Sequence, residues 1–207
     1  NPLPLPPKIH KVTVFSNGEA LTSKLIPTIK YNLHYEGLKE KIQYDTRWSD
    51  STFNSIDWTA LSVALTSIPK SHRVSIVKLT HGLWNTNYQN NKYYNSSPIC
   101  PCCTLRTETF AHVLQCQSVT SATHRKAELL NLRCSLLKKG TPIVLADVIE
   151  KLLTQWGEQN ANHQPTETQN TYDALDSAIT SQSTIISWEQ FLRGRISNKW
   201  QEAYEML

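Results

Sequence analysis

The fold of this chain is organised around one short stretch, Cys100-Pro-Cys-Cys-Thr-Leu-Arg-Thr-Glu-Thr-Phe-Ala-His-Val-Leu-Gln-Cys116. Two residues separate Cys100 from Cys103, which is the usual spacing for two thiolates that bind one metal ion. His112 and Cys116 lie four residues apart, so a helix would present both side chains on one face. The spacing therefore predicts a four-ligand metal site within this one stretch.

The four candidate ligands Cys100, Cys103, His112 and Cys116 are soft or borderline donors, and their number matches tetrahedral zinc. Four protein ligands leave no position for a catalytic water, so the pattern predicts a structural Zn²⁺ ion in a CCHC zinc knuckle. The alternative is a set of buried or disulfide-bonded cysteines. Because Cys102 is an additional thiol inside the knuckle, the sequence leaves open whether Cys102 or Cys103 is the ligand.

The same stretch resembles the zinc-binding segment that follows the polymerase module in reverse transcriptases of non-LTR retrotransposons. The shared elements are Cys-Pro-x-Cys, Glu108-Thr109-x-x-His112, Cys116 and the upstream run His81-Gly82-Leu83-Trp84-Asn85-Thr86-Asn87. The resemblance covers about residues 70 to 120. The chain departs from the pattern at Cys102 and in the loop from Cys103 to His112, which contains no glycine.

A second resemblance lies near the end of the chain. The pattern Trp188-x-x-Phe191-Leu192-x-Gly194-Arg195-x-Ser197-x-x-Trp200 is similar to tail regions of reverse-transcriptase-like proteins of protists. Together the two resemblances imply an accessory segment that belongs to the same polypeptide as an upstream reverse transcriptase module. The sequence contains no Tyr-x-Asp-Asp motif, no Gly-rich phosphate loop and no recognisable catalytic triad, so we expect no enzymatic activity of this segment alone.

Charge is distributed unevenly. Residues 61–140 contain ten Lys and Arg against two Asp and Glu, whereas residues 141–207 contain four against nine. A basic region of this kind can neutralise phosphates without reading sequence, which predicts binding of RNA or DNA with little sequence preference. The candidate contact residues are Lys70, Arg73, Lys78, Lys92, Arg125, Lys126, Arg133, Lys138 and Lys139. The alternative is a solvated basic face that docks on an acidic neighbour, in a zinc-stabilised protein-interaction or scaffold domain.

Composition limits the class of protein. Hydrophobic residues make up 39% of the 207 residues, which is enough for a core, and only six glycines argue against a sheet-rich fold. The sequence has no run of eighteen apolar residues and no signal-peptide pattern, so we expect no membrane partner. Five cysteines, with four assigned to a metal, fit a reducing compartment and predict an intracellular location, either nucleus or cytoplasm. Since the chain begins with Asn1, we also expect it to be a fragment of a longer product.

The predicted fold is mainly α, a helical domain with a small N-terminal β-hairpin. We expect a proline-rich lead and a hairpin around Asn17-Gly18 in residues 1–24, followed by a helical domain in residues 25–157 that contains the knuckle. Gly37 is expected to divide the first helical region into two helices. An exposed loop is predicted at 158–170, and a helical tail at 171–207 should pack on the core through Trp188, Leu192, Ile196 and Trp200.

Two local expectations concern the surroundings of the knuckle. Tyr88, Tyr93 and Tyr94 lie beside Lys92, where they could stack on nucleic-acid bases or pack beneath the metal site, and packing is the favoured interpretation. Thr107 is the expected cap of the helix that carries His112.

Overall fold

The computed structural model describes residues 14–16, 19–21, 25–158 and 173–207, and this part of the chain is mainly helical. The helices are α1 Leu25–Thr46, α2 Asp50–Asn54, α3 Trp58–Ser67, α4 Lys70–Thr80, α5 Asn87–Tyr94, α6 Phe110–Gln115, α7 Val119–Lys138, α8 Ile143–Glu158, α9 Asp173–Thr180, a π-helix Ser181–Ile186, α10 Trp188–Leu192 and α11 Lys199–Glu205. None of the described helices has the length and apolar character needed to cross a membrane.

Two short strands precede α1. β1 (Val14–Ser16) pairs antiparallel with β2 (Glu19–Leu21), and Phe15 lies opposite Ala20. The turn residues between the strands, the proline-rich lead and residues 159–172 lie outside the described residues. The N-terminal hairpin and most of the predicted loop at 158–170 therefore stay predictions.

The chain divides into two compact units, Asn1–Phe53 and Asn54–Leu207. The domain bounds inferred from sequence, at residue 24 and around 158–170, stay predictions. In the first unit, α1 runs without interruption through Gly37, so the expected division into two helices is wrong. A glycine inside a helix costs only about 1 kcal/mol, which neighbouring helical residues can offset.

The core of the second unit joins helices from the middle and the end of the chain. α8 buries Leu145, Ile149, Leu152 and Leu153 along one face, as the helical spacing of its apolar residues requires. The same cluster contains side chains from α7, α9, α10 and α11, among them Leu129, Leu175, Trp188, Trp200 and Ala203. Leu192 and Ile196 are partly buried against it. The aromatic and aliphatic stripe of the last helices thus forms part of one core with α7 and α8.

A buried amide organises the last part of this core. The side chain of Gln182 is completely buried. Its Nε2 donates to the carbonyls of Ser187 at 2.9 Å and Arg195 at 3.4 Å, while its Oε1 accepts from Ser197 N at 2.9 Å and Trp200 Nε1 at 3.2 Å. All four hydrogen-bonding positions of the amide are occupied, as a buried polar side chain requires. We call these contacts the Gln182 network.

The start of the second unit is joined to its end by main-chain contacts. Ile56 and Ser197 form an antiparallel bridge, Asp57 N donates to Ile196 O at 2.9 Å, and Asn198 N donates to Ser55 O at 2.9 Å. Gly194 turns beside this bridge with a φ of 84°, and a Cβ there would lie 3.0 Å from Leu61 Cδ1. Both facts explain a glycine at this position.

Candidate metal centre

The four predicted ligands lie together. The sulfurs of Cys100, Cys103 and Cys116 and a ring nitrogen of His112 all fall within 4.8 Å of one another, so these residues could hold a metal ion. Cys100 Sγ lies 3.9 Å from Cys116 Sγ, and Cys103 Sγ lies 3.3 Å from His112 Nε2. A disulfide needs an S–S distance of about 2.05 Å, and all five cysteines are free thiols.

The cluster also distinguishes between the two neighbouring thiols. Cys103 belongs to it, whereas Cys102 is exposed and lies outside it. Cys100 and Cys116 are almost fully buried, with 2% and 1% of their surfaces exposed. The geometry therefore favours Cys103 as the ligand, with two ligands deep in the fold and two nearer its surface.

A tight turn carries the first two ligands. Cys100 N donates to Arg106 O and Thr104 N donates to Cys100 O, both at 2.8 Å, while Ile99 and Thr107 form an antiparallel bridge. Thr104 has a φ of 57°, in the left-handed region that a β-branched residue rarely adopts. Glycine would adopt this conformation more easily, and the sequence contains no glycine between Cys103 and His112.

The ligand helix α6 begins at Phe110, so His112 is its third residue. Thr109 is its N-cap, and Thr109 Oγ1 accepts from His112 N at 3.1 Å. The prediction that Thr107 caps this helix is wrong, because Thr107 pairs with Ile99 across the turn. Cys116 follows at the C-cap position, so α6 places both of its ligands at one site.

Glu108 connects the knuckle to the preceding helix. Its Oε2 accepts from Asn87 N at 2.6 Å, at the first residue of α5. Asn87 Nδ2 in turn donates to Ile99 O at 2.9 Å, on the strand-like arm of the turn. A carboxylate at the start of a helix satisfies a free N–H and complements the helix dipole. The Glu108-Thr109-x-x-His112 element therefore holds α5, α6 and a candidate ligand in one local arrangement.

Three polar side chains anchor the centre to the core. Gln115 Nε2 donates to Trp156 O at 3.1 Å and Gln117 Nε2 donates to Gly157 O at 2.9 Å, so both amides satisfy carbonyls at the end of α8. Arg125 Nη1 donates to Cys116 O at 2.9 Å. A Cβ on Gly157 would lie 2.8 Å from Arg125 Cδ, so this glycine leaves space for the guanidinium stem. The roles of Gln115 and Gln117 were not predicted from the sequence, because single amides at the end of a short helix carry no periodic signal.

Burial and hydrogen bonding act differently on the two buried thiols. Burial raises the pKa of the Cys100 thiol to about 11. Burial opposes ionisation of Cys116 as well, but hydrogen bonds from the Ser118 N–H and from the hydroxyls of Ser118 and Ser121 outweigh it and lower the pKa of Cys116 to about 6. Ser118 also caps α7. The cap of α7 thus favours the thiolate form that metal binding requires.

The basic residues predicted to contact nucleic acid fall into two groups. The three arginines bond within the chain: Arg73 donates to the carbonyls of Thr66 and Ile68, Arg125 to those of Leu114 and Cys116, and Arg133 pairs with Asp147 at 2.6 Å. The second group is exposed and consists of Lys70, Lys78, Lys92, Lys126, Lys138 and Lys139. The lysines are therefore the better candidates for contacts outside the chain.

Tyr93 and Tyr94 of α5 do not pack beneath the knuckle. Tyr93 is 63% exposed and Tyr94 is 79% exposed, so the favoured packing interpretation is wrong for these two residues. Both line a groove of about 440 Å³ together with Lys78, Leu83, Asn85, Gln89 and Asn90. Lys92 Nζ lies 5.5 Å from the centre of the Tyr93 ring.

Comparison of the chain with protein-family models, with curated proteins and with solved structures gives no match. The function is therefore inferred from the geometry of the four candidate ligands and from the exposed side chains.

Replacing Thr104 with Gly is expected to stabilise the chain. The left-handed conformation costs a non-glycine residue about 1 to 2 kcal/mol, and glycine adopts it freely. We expect a gain of about 1 kcal/mol in the free energy of unfolding, measured by urea denaturation. Asn95→Gly is the matched control, because Asn95 also has a positive φ of 53° but asparagine tolerates it, so its gain should be only a few tenths of a kcal/mol. Equal gains at both positions would contradict this account.

Proposed function

We propose that the centre binds one structural Zn²⁺ ion through Cys100, Cys103, His112 and Cys116. The observation that carries this proposal is the spacing of the ligand atoms. Tetrahedral Zn–S bonds of about 2.3 Å place two sulfurs about 3.8 Å apart, and a sulfur and an imidazole nitrogen about 3.5 Å apart. The corresponding distances are 3.9 Å and 3.3 Å.

The proposed site is structural because four protein ligands complete a tetrahedral shell. Two ligands come from the turn and two from α6, and side chains of Gln115, Gln117 and Arg125 tie this unit to α8 and α7. The ion would therefore fix the turn relative to α6 and, through these side chains, to α7 and α8. Metal analysis of protein purified without chelator tests the proposal and should give about one zinc per chain.

We further propose that the chain is a non-catalytic, nucleic-acid-binding module that belongs to a retroelement reverse transcriptase. The resemblance at Glu108-Thr109-x-x-His112 supports this, since its residues fix two neighbouring helices. Glu108 accepts from Asn87 N at the start of α5, and Thr109 caps α6 by accepting from His112 N. The resemblance from Trp188 to Trp200 also falls on residues with structural roles. Ser197 forms the bridge with Ile56, Ser197 and Trp200 bond to Gln182, and Gly194 packs against Leu61. Upstream coding sequence with a polymerase motif would support the proposed parent.

The charge distribution supports the nucleic-acid part of this proposal. The sequence contains no acidic residue between Asp57 and Glu108, and the Glu108 carboxylate is occupied at Asn87. The exposed lysines of α4 and α5 therefore lie in a stretch of sequence that contributes no negative charge of its own. Such a surface attracts phosphates through counterion release and gives little sequence preference.

Binding to nucleic acid is expected to depend steeply on salt. Each phosphate contacted should contribute about −0.7 to the slope of log affinity against log salt for single strands and about −0.9 for duplexes. The double change Lys70→Ala and Lys78→Ala on α4 should flatten the duplex slope by about two units, measured by fluorescence anisotropy. Lys199→Ala is the control, because Lys199 already pairs with Glu202 at 2.8 Å and should leave the slope unchanged. Affinity that is independent of salt would refute the proposal.

A protein-interaction scaffold is the second candidate function. The observation that favours it is an apolar groove of about 440 Å³ beside the metal centre, whose lining includes Cys102, Val113, Leu132, Trp156 and Leu192. A zinc-stabilised domain that binds neither single-stranded nor duplex nucleic acid in low salt would favour this candidate.

A further inference from the structure

The groove between α4 and α5 combines three kinds of side chain. Lys78 supplies positive charge, Tyr93 and Tyr94 supply exposed aromatic rings, and Asn85 and Asn90 supply amides. The amides of Asn85 and Asn90 form no hydrogen bond within the described part of the chain. Each therefore offers donors and an acceptor to a ligand. The volume of about 440 Å³ lies within the range of small-ligand pockets.

The charge around the groove is of one sign. No acidic side chain lines it, and α4 and α5 contain none. Lys92 lies beside the Tyr93 ring, 5.5 Å from its centre, where its ammonium could also reach the phosphate of a nucleotide stacked on that ring. Lys78 in the groove and Lys92 beside it thus place positive charge next to the exposed rings of Tyr93 and Tyr94.

One polar atom in the lining is not satisfied within the described residues. Gln89 Nε2 donates to Gly82 O at 3.3 Å, while Gln89 Oε1 is buried without a hydrogen-bond partner. A buried carbonyl oxygen that lacks a donor is costly, so turning this amide toward a ligand N–H would gain a hydrogen bond at the expense of the 3.3 Å contact to Gly82 O. The exposed edges of nucleobases carry such N–H groups.

We propose that this groove binds unpaired nucleotides, with bases stacked on Tyr93 and Tyr94 and phosphates held by Lys78 and Lys92. This inference rests on the proposed nucleic-acid-binding function and adds to it a preference for single strands. The preference follows because bases inside a duplex are stacked on one another and cannot cover a protein ring, whereas unpaired bases can. Stacking is tolerant of sequence, since every base has an aromatic face.

The experiment compares a labelled oligo(dT) and a labelled oligo(rU) of twelve nucleotides with a twelve-base-pair duplex, using the full chain loaded with zinc. We expect tighter binding of both single strands than of the duplex. Because stacking contributes about 1 to 3 kcal/mol per base and 1.4 kcal/mol is tenfold in affinity, the double change Tyr93→Ala and Tyr94→Ala should weaken single-strand binding at least about tenfold. Duplex affinity should change less than about twofold.

The chain offers a matched control for this change. Tyr44 is 82% exposed, and Lys41 Nζ lies 5.9 Å from its ring centre, so it reproduces the Tyr93 and Lys92 pair on another helix. Tyr44→Ala should leave single-strand affinity unchanged. Tyr93→Phe with Tyr94→Phe should retain binding, because both rings remain. Zinc content and melting temperature verify that each variant is folded.

The outcomes separate this inference from the proposed function. Equal affinity for single strands and duplex, or single-strand binding that is insensitive to loss of both tyrosines, would overturn the inference while leaving an electrostatic nucleic-acid surface in place. An absence of binding to all three probes in low salt would overturn both.

Discussion

Removal of the metal with an excess of a tight zinc chelator is expected to unfold the knuckle and to lower the stability of the second unit by several kcal/mol. Binding of a structural zinc is worth about 10 to 16 kcal/mol in small zinc-dependent folds, and this free energy becomes folding free energy because the site does not exist in the unfolded chain. The folded knuckle buries two thiols and holds Thr104 in a left-handed conformation, and without the metal–ligand bonds nothing offsets these costs. Thermal unfolding followed by circular dichroism, with and without chelator, measures the loss.

Substitutions of single cysteines test which thiols bind the metal. Cys103→Ser and Cys116→Ser should each release the metal, whereas Cys102→Ser should retain one zinc per chain and the parental melting temperature. Cys102 is the matched control, because it occupies the same turn but its thiol is exposed and lies outside the cluster. Loss of zinc from Cys102→Ser with retention in Cys103→Ser would exchange the two assignments. A chain that melts at the same temperature with and without chelator would contradict the structural role altogether.

Replacing Gln182 with Leu is expected to destabilise the second unit by about 4 kcal/mol, since the change leaves buried main-chain and indole groups without partners at about 1 to 3 kcal/mol each. The affected groups are the carbonyls of Ser187 and Arg195, the N–H of Ser197 and the indole N–H of Trp200. Leucine is larger by nearly one methylene group and is branched, so overpacking at this fully buried site adds to the loss by about 1 to 3 kcal/mol at most. Urea denaturation followed by tryptophan fluorescence measures it.

Gln201→Leu is the control for this prediction. Gln201 lies on α11, and its exposed amide donates only to Glu205 Oε1 at 2.9 Å. A surface change of this kind should stay within about 0.5 kcal/mol. Zinc content should be the same in both variants, because the Gln182 network lies apart from the metal ligands. A loss below about 1 kcal/mol for Gln182→Leu would mean that the network contributes little.

The cluster of Cys100, Cys103, His112 and Cys116 could be predicted from sequence, because the signal for it is local. The spacing of Cys100 and Cys103 and of His112 and Cys116 depends on one turn and one short helix. The predicted cap of α6 was wrong because of a contact outside the helix. Thr107 pairs with Ile99 across the turn, so the helix begins two residues later and Thr109 caps it. Burial of the knuckle against α8 was likewise not predictable, because it depends on amides that bond to carbonyls some forty residues further along the chain.

The contacts of the individual basic residues could not be predicted from the sequence. Counting charges identified the region, but a count cannot distinguish Arg133, which pairs with Asp147, from an exposed lysine. Guanidinium groups find carbonyls and carboxylates within the fold because they offer several donors in a fixed plane, whereas lysines more often remain in solvent. Gln182 was missed for a related reason. A single buried amide does not alter the apolar periodicity on which helix prediction depends.

The bridge between Ile56 and Ser197 has a consequence for how a longer polypeptide could carry the second unit. Asn198 N donates to Ser55 O, so the chain enters this unit and returns to its last helix at neighbouring points. A longer polypeptide must therefore keep the segment at Ser55 and Ile56 next to the start of α11. A truncation that removes these two residues should also loosen α11 and the packing of Trp200, because the main-chain partners of Ser197 and Asn198 are then lost.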